Sequence, residues 1–181
     1  MLFRETPLAG AYTIDISPIS DVRGFFAKAW SLQDLERAGL DPTLVQCSIS
    51  WNKTKGTLRG MHFQRPPFDE VKIVRCTRGA VVDVIVDLRP GSPTFCRWTS
   101  AELTDRNHRM LYIPKGFAHG YLTLTDDVEV YYHVSAPYSP EHADGVRWDD
   151  PAFGIQWPIP PEVISDRDRA WRLLSAKPLS T

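Results

Sequence analysis

Short runs of β-branched and aromatic residues, each cut off within a few positions by Gly, Pro, Asp or Ser, constrain this chain more than any other feature. Residues 71 to 76 read Val-Lys-Ile-Val-Arg-Cys and 80 to 88 read Ala-Val-Val-Asp-Val-Ile-Val-Asp-Leu, with further runs at 110 to 113 and at 128 to 135, Val-Glu-Val-Tyr-Tyr-His-Val-Ser. That spacing predicts an all-β sandwich or barrel, because a strand needs only a handful of residues to cross a sheet before the chain must turn. Helix signals are few. Ser31-Leu-Gln-Asp34 has the form of a capping box opening a short helix that stops at Gly39, and Ser165-Asp-Arg-Asp168 is a candidate start for a second. Prolines grouped at 66 to 67 and 151 to 161 mark loops and a non-helical tail segment. At 181 residues and 43% hydrophobic composition the chain has the size and apolar content for one core, so residues 1–181 are read as a single domain without repeats or linkers.

A formal net charge of −1 leaves no electrostatic footprint for a nucleic-acid backbone or an anionic membrane, so neither is expected as a partner. Any phosphate this chain binds must be gripped by a few placed arginines. No apolar run is long enough to span a bilayer, and the opening Met1-Leu-Phe-Arg-Glu-Thr-Pro7 lacks a signal-peptide core, which together predict a cytoplasmic protein. Cys47, Cys76 and Cys96 are odd in number and form no Cys-x-x-Cys pair, which argues against a disulfide framework or a thiolate zinc site and for buried free thiols.

Strand parity sharpens the reading, since alternate residues of a strand face the same way. Lys72 shares a face with Val74 and Cys76, and Tyr132 shares one with Val128, Val130 and Val134. Both polar side chains are therefore aimed into an apolar interior. A tyrosine there is ordinary, but lysine is almost never fully buried without a partner. Asp83 falls on one face with Ile85 and Asp87, and the two carboxylates call for a cation, with Lys72 or His119 the expected partner.

His62 lies in Gly56-Thr-Leu-Arg-Gly-Met-His-Phe-Gln64, among strand-forming residues. Alone it would be an ordinary core histidine. Taken with Lys72-Ile-Val-Arg75, Asp83-Val-Ile-Val-Asp-Leu-Arg89, Ser92-Pro-Thr94, Ile113-Pro-Lys-Gly-Phe-Ala-His-Gly120, Tyr138-Ser-Pro140 and Trp148-Asp-Asp-Pro151, the chain resembles the dTDP-4-dehydrorhamnose 3,5-epimerase family over roughly residues 5 to 170. The resemblance implies a cupin-type jelly-roll β-barrel, a homodimer, and epimerisation of a nucleotide-diphosphate sugar carrying a 4-keto-6-deoxy ring, with no metal and no organic cofactor.

Such chemistry removes a proton beside a ketone and returns one to the opposite face. It needs a base, an acid across the ring, and positive charge or a hydrogen bond at the enolate oxygen. His62 suits the base, because imidazole titrates near working pH. By resemblance, Asp168 orients it; on local sequence alone Asp168 would be a helix-cap residue. Lys72 would neutralise the enolate, and Tyr132 would supply the proton from the other face. The same resemblance assigns Arg23 and Arg59 to the diphosphate, where guanidinium geometry fits phosphate. It also places Gln46, Phe26, Trp51, His119 and Tyr138 around the nucleotide or sugar.

Pro114-Lys-Gly-Phe-Ala-His119 fits the second cupin motif, but the first is incomplete for a metal cupin: His62-Phe-Gln64 stands where His-x-His would, and Glu70 lies six positions beyond Gln64. The imidazole and carboxylate donors are under-supplied for a divalent ion, and no metal site is expected. Three positions depart from the family pattern. Gln46-Cys-Ser48 replaces Gln-x-Asn, while Glu70 and Lys28 stand where Gln and Glu would be usual. These changes surround the substrate and leave open whether C3, C5 or both are inverted. A sugar 3,4-ketoisomerase, a non-catalytic sugar-binding cupin and a metal-dependent cupin oxygenase are the competing functions; a buried Lys72 counts against a binding-only role.

Overall fold

The computed structural model describes residues 1–174. In chain order its elements are β1 (Leu2–Glu5), β2 (Tyr12–Asp15), β3 (Ile19–Asp21), β4 (Gly24–Phe26), α1 (Leu32–Arg37), β5 (Gln46–Asn52), β6 (Thr57–Gln64), β7 (Lys72–Arg78) and β8 (Ala80–Asp87). Then follow β9 (Trp98–Thr104), β10 (Met110–Ile113), β11 (Phe117–Thr123), β12 (Val128–Val134), β13 (Ala143–Gly145), β14 (Val163–Ile164) and α2 (Asp166–Arg169). Strands β1-β2-β10-β7-β12-β5 form one sheet and β13-β6-β11-β8-β9 a second, to which β14 adds in parallel beside β6. The strands β3 and β4 stand apart as a hairpin. Two facing, largely antiparallel sheets are the jelly-roll barrel that the strand spacing and the resemblance predict. No helix among the described residues is long and apolar enough to cross a membrane.

The main core fills the space between the sheets. Val74, Cys76, Val128 and Val130 from the first meet Val81, Ile85, Leu103 and Tyr121 from the second. The second sheet is also covered outside, where Met61, Val84, Val86 and Ala118 pack under Val146 and Phe153 with Trp148 and Trp157. Burial on both faces explains why β8 is almost continuously apolar instead of alternating. On the far side of the first sheet, Leu35 of α1 packs on Ile14, Ile73 and Met110. The Ser31 hydroxyl accepts from the Asp34 amide at 3.3 Å, and Gly39 at φ +71° ends the turn, as the capping pattern predicts. Ser165 caps α2 in the same way, accepting from the Asp168 amide at 3.1 Å.

One glycine pair sets the geometry of the centre. A Cβ on Gly60, which sits at φ +144°, would lie 2.6 Å from the Gly120 Cα, and one on Gly120 would lie 2.8 Å from the Arg59 carbonyl oxygen. Only bare backbones let β6 and β11 approach this closely. The register then shifts between His119 and Tyr121, leaving His119 directly opposite His62.

Two expectations are corrected. The thiols are not uniformly buried: Cys76 is, but Cys47 is exposed and Cys96 half-buried. Lys72 serves neither Asp83 nor Asp87. Its ammonium pairs with Glu70 at 2.9 Å, whereas Asp87 is held by Arg89 at 2.7 Å, Ser92 at 2.6 Å and Thr94 at 2.6 Å.

Candidate active site

Between the sheets lies a cavity of about 360 Å³. His62, Arg59 and His119 reach it from β6 and β11 of the second sheet, and Lys72, Tyr132 and Gln46 from β7, β12 and β5 of the first. Tyr138 stands at its rim, more than half exposed. Parity had placed Lys72 and Tyr132 on inward faces, and both are found there.

His62 Nε2 lies 2.6 Å from Asp168 Oδ1. The ring is about two-fifths exposed while the carboxylate is 5% exposed, so the imidazole is open and its partner is shut away behind it. Asp168 also accepts from the Gly60 amide and the Trp171 indole, each at 3.3 Å. Burial works against its charge, but the His62 bond and these two donors outweigh burial and hold the carboxyl below its ordinary range. A charged partner fixed on one ring nitrogen orients the ring and leaves the other nitrogen to carry protons.

Across the cavity, Tyr132 is pushed well above the usual phenol range, first by burial and then by the neighbouring Tyr121. At working pH it keeps its proton. Lys72 stands on the adjacent strand, with its side chain 15% exposed and that of Glu70 6% exposed. Among the described residues Glu70 Oε2 is buried without a hydrogen-bond partner, and Lys72 is the cation that its carboxylate meets. Glu70 thus sets a carboxylate beside the buried ammonium. His119 Nε2 meets Asp83 Oδ2 at 2.9 Å, so of the two partners expected for that carboxylate it is the histidine that is found.

Arg59 Nε donates to Asn52 Oδ1 at 2.7 Å, which fixes the guanidinium at the cavity edge. Gln64, which sequence reasoning used only as a departure from a metal motif, staples two loops. Its Nε2 donates to the Phe68 and Pro137 carbonyls at 2.8 and 3.2 Å, and its Oε1 accepts from the Ser139 amide at 2.6 Å. Those bonds bracket Tyr138. Tyr121 and Arg167 also line the cavity and were missed. Tyr121 lies two residues from His119, so parity carried a signal for it; nothing in the sequence around Arg167 did.

Three predicted residues do not reach the cavity of their own chain. Arg23 sits on the exposed turn of the β3–β4 hairpin, bound to Asp21 at 2.6 Å, and Phe26 is 71% exposed on the same hairpin. Trp51 points outward from β5, its indole donating to Asp127 at 2.5 Å. Lys28 is tied to Asp34 and is likewise absent from the cavity.

A jelly-roll barrel that encloses imidazole, ammonium and phenol between its sheets defines a cupin-type isomerase. The family described as dTDP-4-dehydrorhamnose 3,5-epimerase matches residues 5–176, and the chain belongs to it. A relative of that name from Sinorhizobium fredii is 44% identical over 181 residues, covering 99% of this chain and 93% of its own. The solved structure of a dTDP-6-deoxy-D-glucose-3,5-epimerase from Legionella pneumophila, in complex with dTDP-4-keto-L-rhamnose, superposes with a TM-score of 0.90 at 35% identity and covers 96% of this chain and 93% of that one. A 3'-monoepimerase from Streptomyces bikiniensis, in complex with dTDP-quinovose, gives a TM-score of 0.87 at 33% identity, covering 94% and 86%.

Proposed function

We propose that this chain inverts C3 and C5 of a dTDP-linked 4-keto-6-deoxyhexose, converting dTDP-4-dehydro-6-deoxy-D-glucose to dTDP-4-dehydro-L-rhamnose without metal or organic cofactor. One observation carries the proposal. The Asp168-held His62 and the protonated Tyr132 enter one cavity from opposite sheets. His62 takes the proton beside the ketone, Lys72 faces the enolate oxygen, and Tyr132 returns a proton to the opposite face of the carbon. Arg59, with Gln46, His119 and Tyr138, binds the nucleotide diphosphate and sugar. Proton NMR in deuterated water with dTDP-4-keto-6-deoxyglucose tests this: deuterium should enter at C3 and C5 together with inversion at both. Exchange and inversion at C3 alone would favour the monoepimerase reading, which the similarity to the Streptomyces bikiniensis protein keeps in view. No exchange at either carbon would sink both.

We further propose that the enzyme works as a homodimer. Ile19, Val22, Phe25 and Phe26 are all more than half exposed on and around one hairpin, a concentration of apolar surface that a second copy would cover. That hairpin would bring Arg23 and Phe26 to the partner's cavity. Residues 1–181 would serve this cavity as one domain, of which 175–181 lie outside the described residues. The three free thiols fit a reducing, cytosolic setting.

A further inference from the structure

Arg59 is exposed at the cavity edge, and Asn52, the last residue of β5, lies 2% exposed behind it. The Asn52 amide can face only one way. Its Nδ2 donates to the Tyr121 hydroxyl at 3.2 Å and to the Ser50 and Val128 carbonyls, each at 3.4 Å. Carbonyls only accept, so the nitrogen must face them and the oxygen must face Arg59. That oxygen receives Arg59 Nε at 2.7 Å, and the Trp51 carbonyl receives Nη2 at 3.5 Å. A guanidinium can grip a ligand by either of two edges, one made of Nε and Nη2, the other of Nη1 and Nη2. Arg23, Arg89, Arg109 and Arg147 each give the Nε–Nη2 edge to an aspartate. Arg59 gives the same edge to two uncharged oxygens, and among the described residues it makes no ion pair.

We infer that Asn52 is a positioning residue for Arg59: its neutral oxygen fixes the guanidinium by the Nε–Nη2 edge, so that the Nη1–Nη2 edge and an undiminished charge meet the diphosphate. The inference rests on the diphosphate role proposed for Arg59 above. Both properties of the amide matter. An aliphatic side chain at position 52 would leave the guanidinium to be ordered only when the ligand arrives, which weakens binding. A carboxylate there would hold the same edge as firmly as the amide does. Its charge, however, would offset that of the guanidinium and repel the phosphates from a buried position where water screens little.

The test compares Asn52→Leu, Asn52→Asp, Arg59→Ala and the Asn52→Leu, Arg59→Ala double variant as full chains, each checked for folding by thermal melting. Calorimetry reads dTDP affinity, and steady-state kinetics with dTDP-4-keto-6-deoxyglucose read KM and kcat. Affinity should fall about 3- to 10-fold in Asn52→Leu and about 10- to 100-fold in Asn52→Asp. KM should rise in step while kcat stays within about threefold of wild type. In the Arg59→Ala background Asn52→Leu should cost nothing further, because the amide acts through the guanidinium. Wild-type affinity in Asn52→Leu would overturn the inference, as would a loss that persists in the double variant or one confined to kcat. So would an Asn52→Asp variant that binds dTDP as tightly as Asn52→Leu or more tightly. All four outcomes leave the Arg59 assignment standing, whereas full dTDP affinity in Arg59→Ala would remove that assignment and the inference with it. Should Asn52→Asp fail to fold, the comparison of Asn52→Leu with the double variant decides alone; should Asn52→Leu fail, Asn52→Ala takes its place under the same criteria.

Discussion

His62 and His119 stand opposite each other on β6 and β11, and each turns its Nε2 to a different buried carboxylate, Asp168 at 2.6 Å and Asp83 at 2.9 Å. The resemblance is near, yet the surroundings differ. The His62 ring is 41% exposed and the His119 ring 7%, so one can exchange protons with a ligand and the other is held as part of the wall.

Replacing His62 by Asn should therefore abolish deuterium entry at both C3 and C5, by about 10² to 10⁴ in rate, while dTDP affinity stays near wild type. Solvent-exchange NMR and calorimetric dTDP binding measure the two quantities. A variant that keeps more than about a tenth of wild-type exchange would remove His62 from the base role.

Arg59→Ala should act chiefly on binding. A charge pair with the diphosphate is made equally in ground and transition states, so KM should rise far more than kcat falls. Steady-state kinetics separate them. A loss confined to kcat would mean that the guanidinium serves the reacting carbons.

The Asp87 carboxylate predicts a pH-dependent stability unrelated to catalysis. Burial would raise it, but Arg89, Ser92 and Thr94 bring it down from 3.8 to about 2. A depressed folded pKa contributes stability above the unfolded value, and that contribution disappears as pH falls through the folded one. At neutral pH it is worth about 2 kcal/mol. The gap in Tm between wild type and Asp87→Asn should thus be widest above pH 4 and close toward pH 2. A gap independent of pH would show that the charge adds nothing.

Mixing two impaired chains, at a substrate concentration well below the KM of Arg23→Ala, probes the hairpin. If Arg23 serves the partner's cavity, heterodimers of Arg23→Ala and His62→Asn contain one site with both defects and one with neither. Random pairing should restore about a quarter of wild-type turnover. Activity no greater than the sum of the separate homodimers would place Arg23 elsewhere.

Periodicity carried much of this site. The inward aim of Lys72 and Tyr132 follows from alternation along β7 and β12, and the Ser31 and Ser165 caps follow from local hydrogen bonding. What alternation cannot carry is pairing across the fold. Asp168 meets His62 from 106 residues away, and only resemblance linked them. Glu70 is the partner of Lys72, on the loop just before that strand, where no period applies. Strands β1 and β2 form one end of the first sheet and β3 and β4 stand apart; all four are three or four residues long, too short to show a period. Arg23 and Phe26 match the family motif, but a motif records residue types and not whether the side chains reach their own chain's cavity.

The contact between Gly60 and Gly120 has a consequence for variation in this protein. Because no side chain separates the two backbones there, the spacing of the histidine pair depends on atoms that are missing and not on atoms that could be repacked. A methyl group added at either position has no rotamer by which to escape the facing backbone, so even alanine would force β6 and β11 apart and shift His62 against His119.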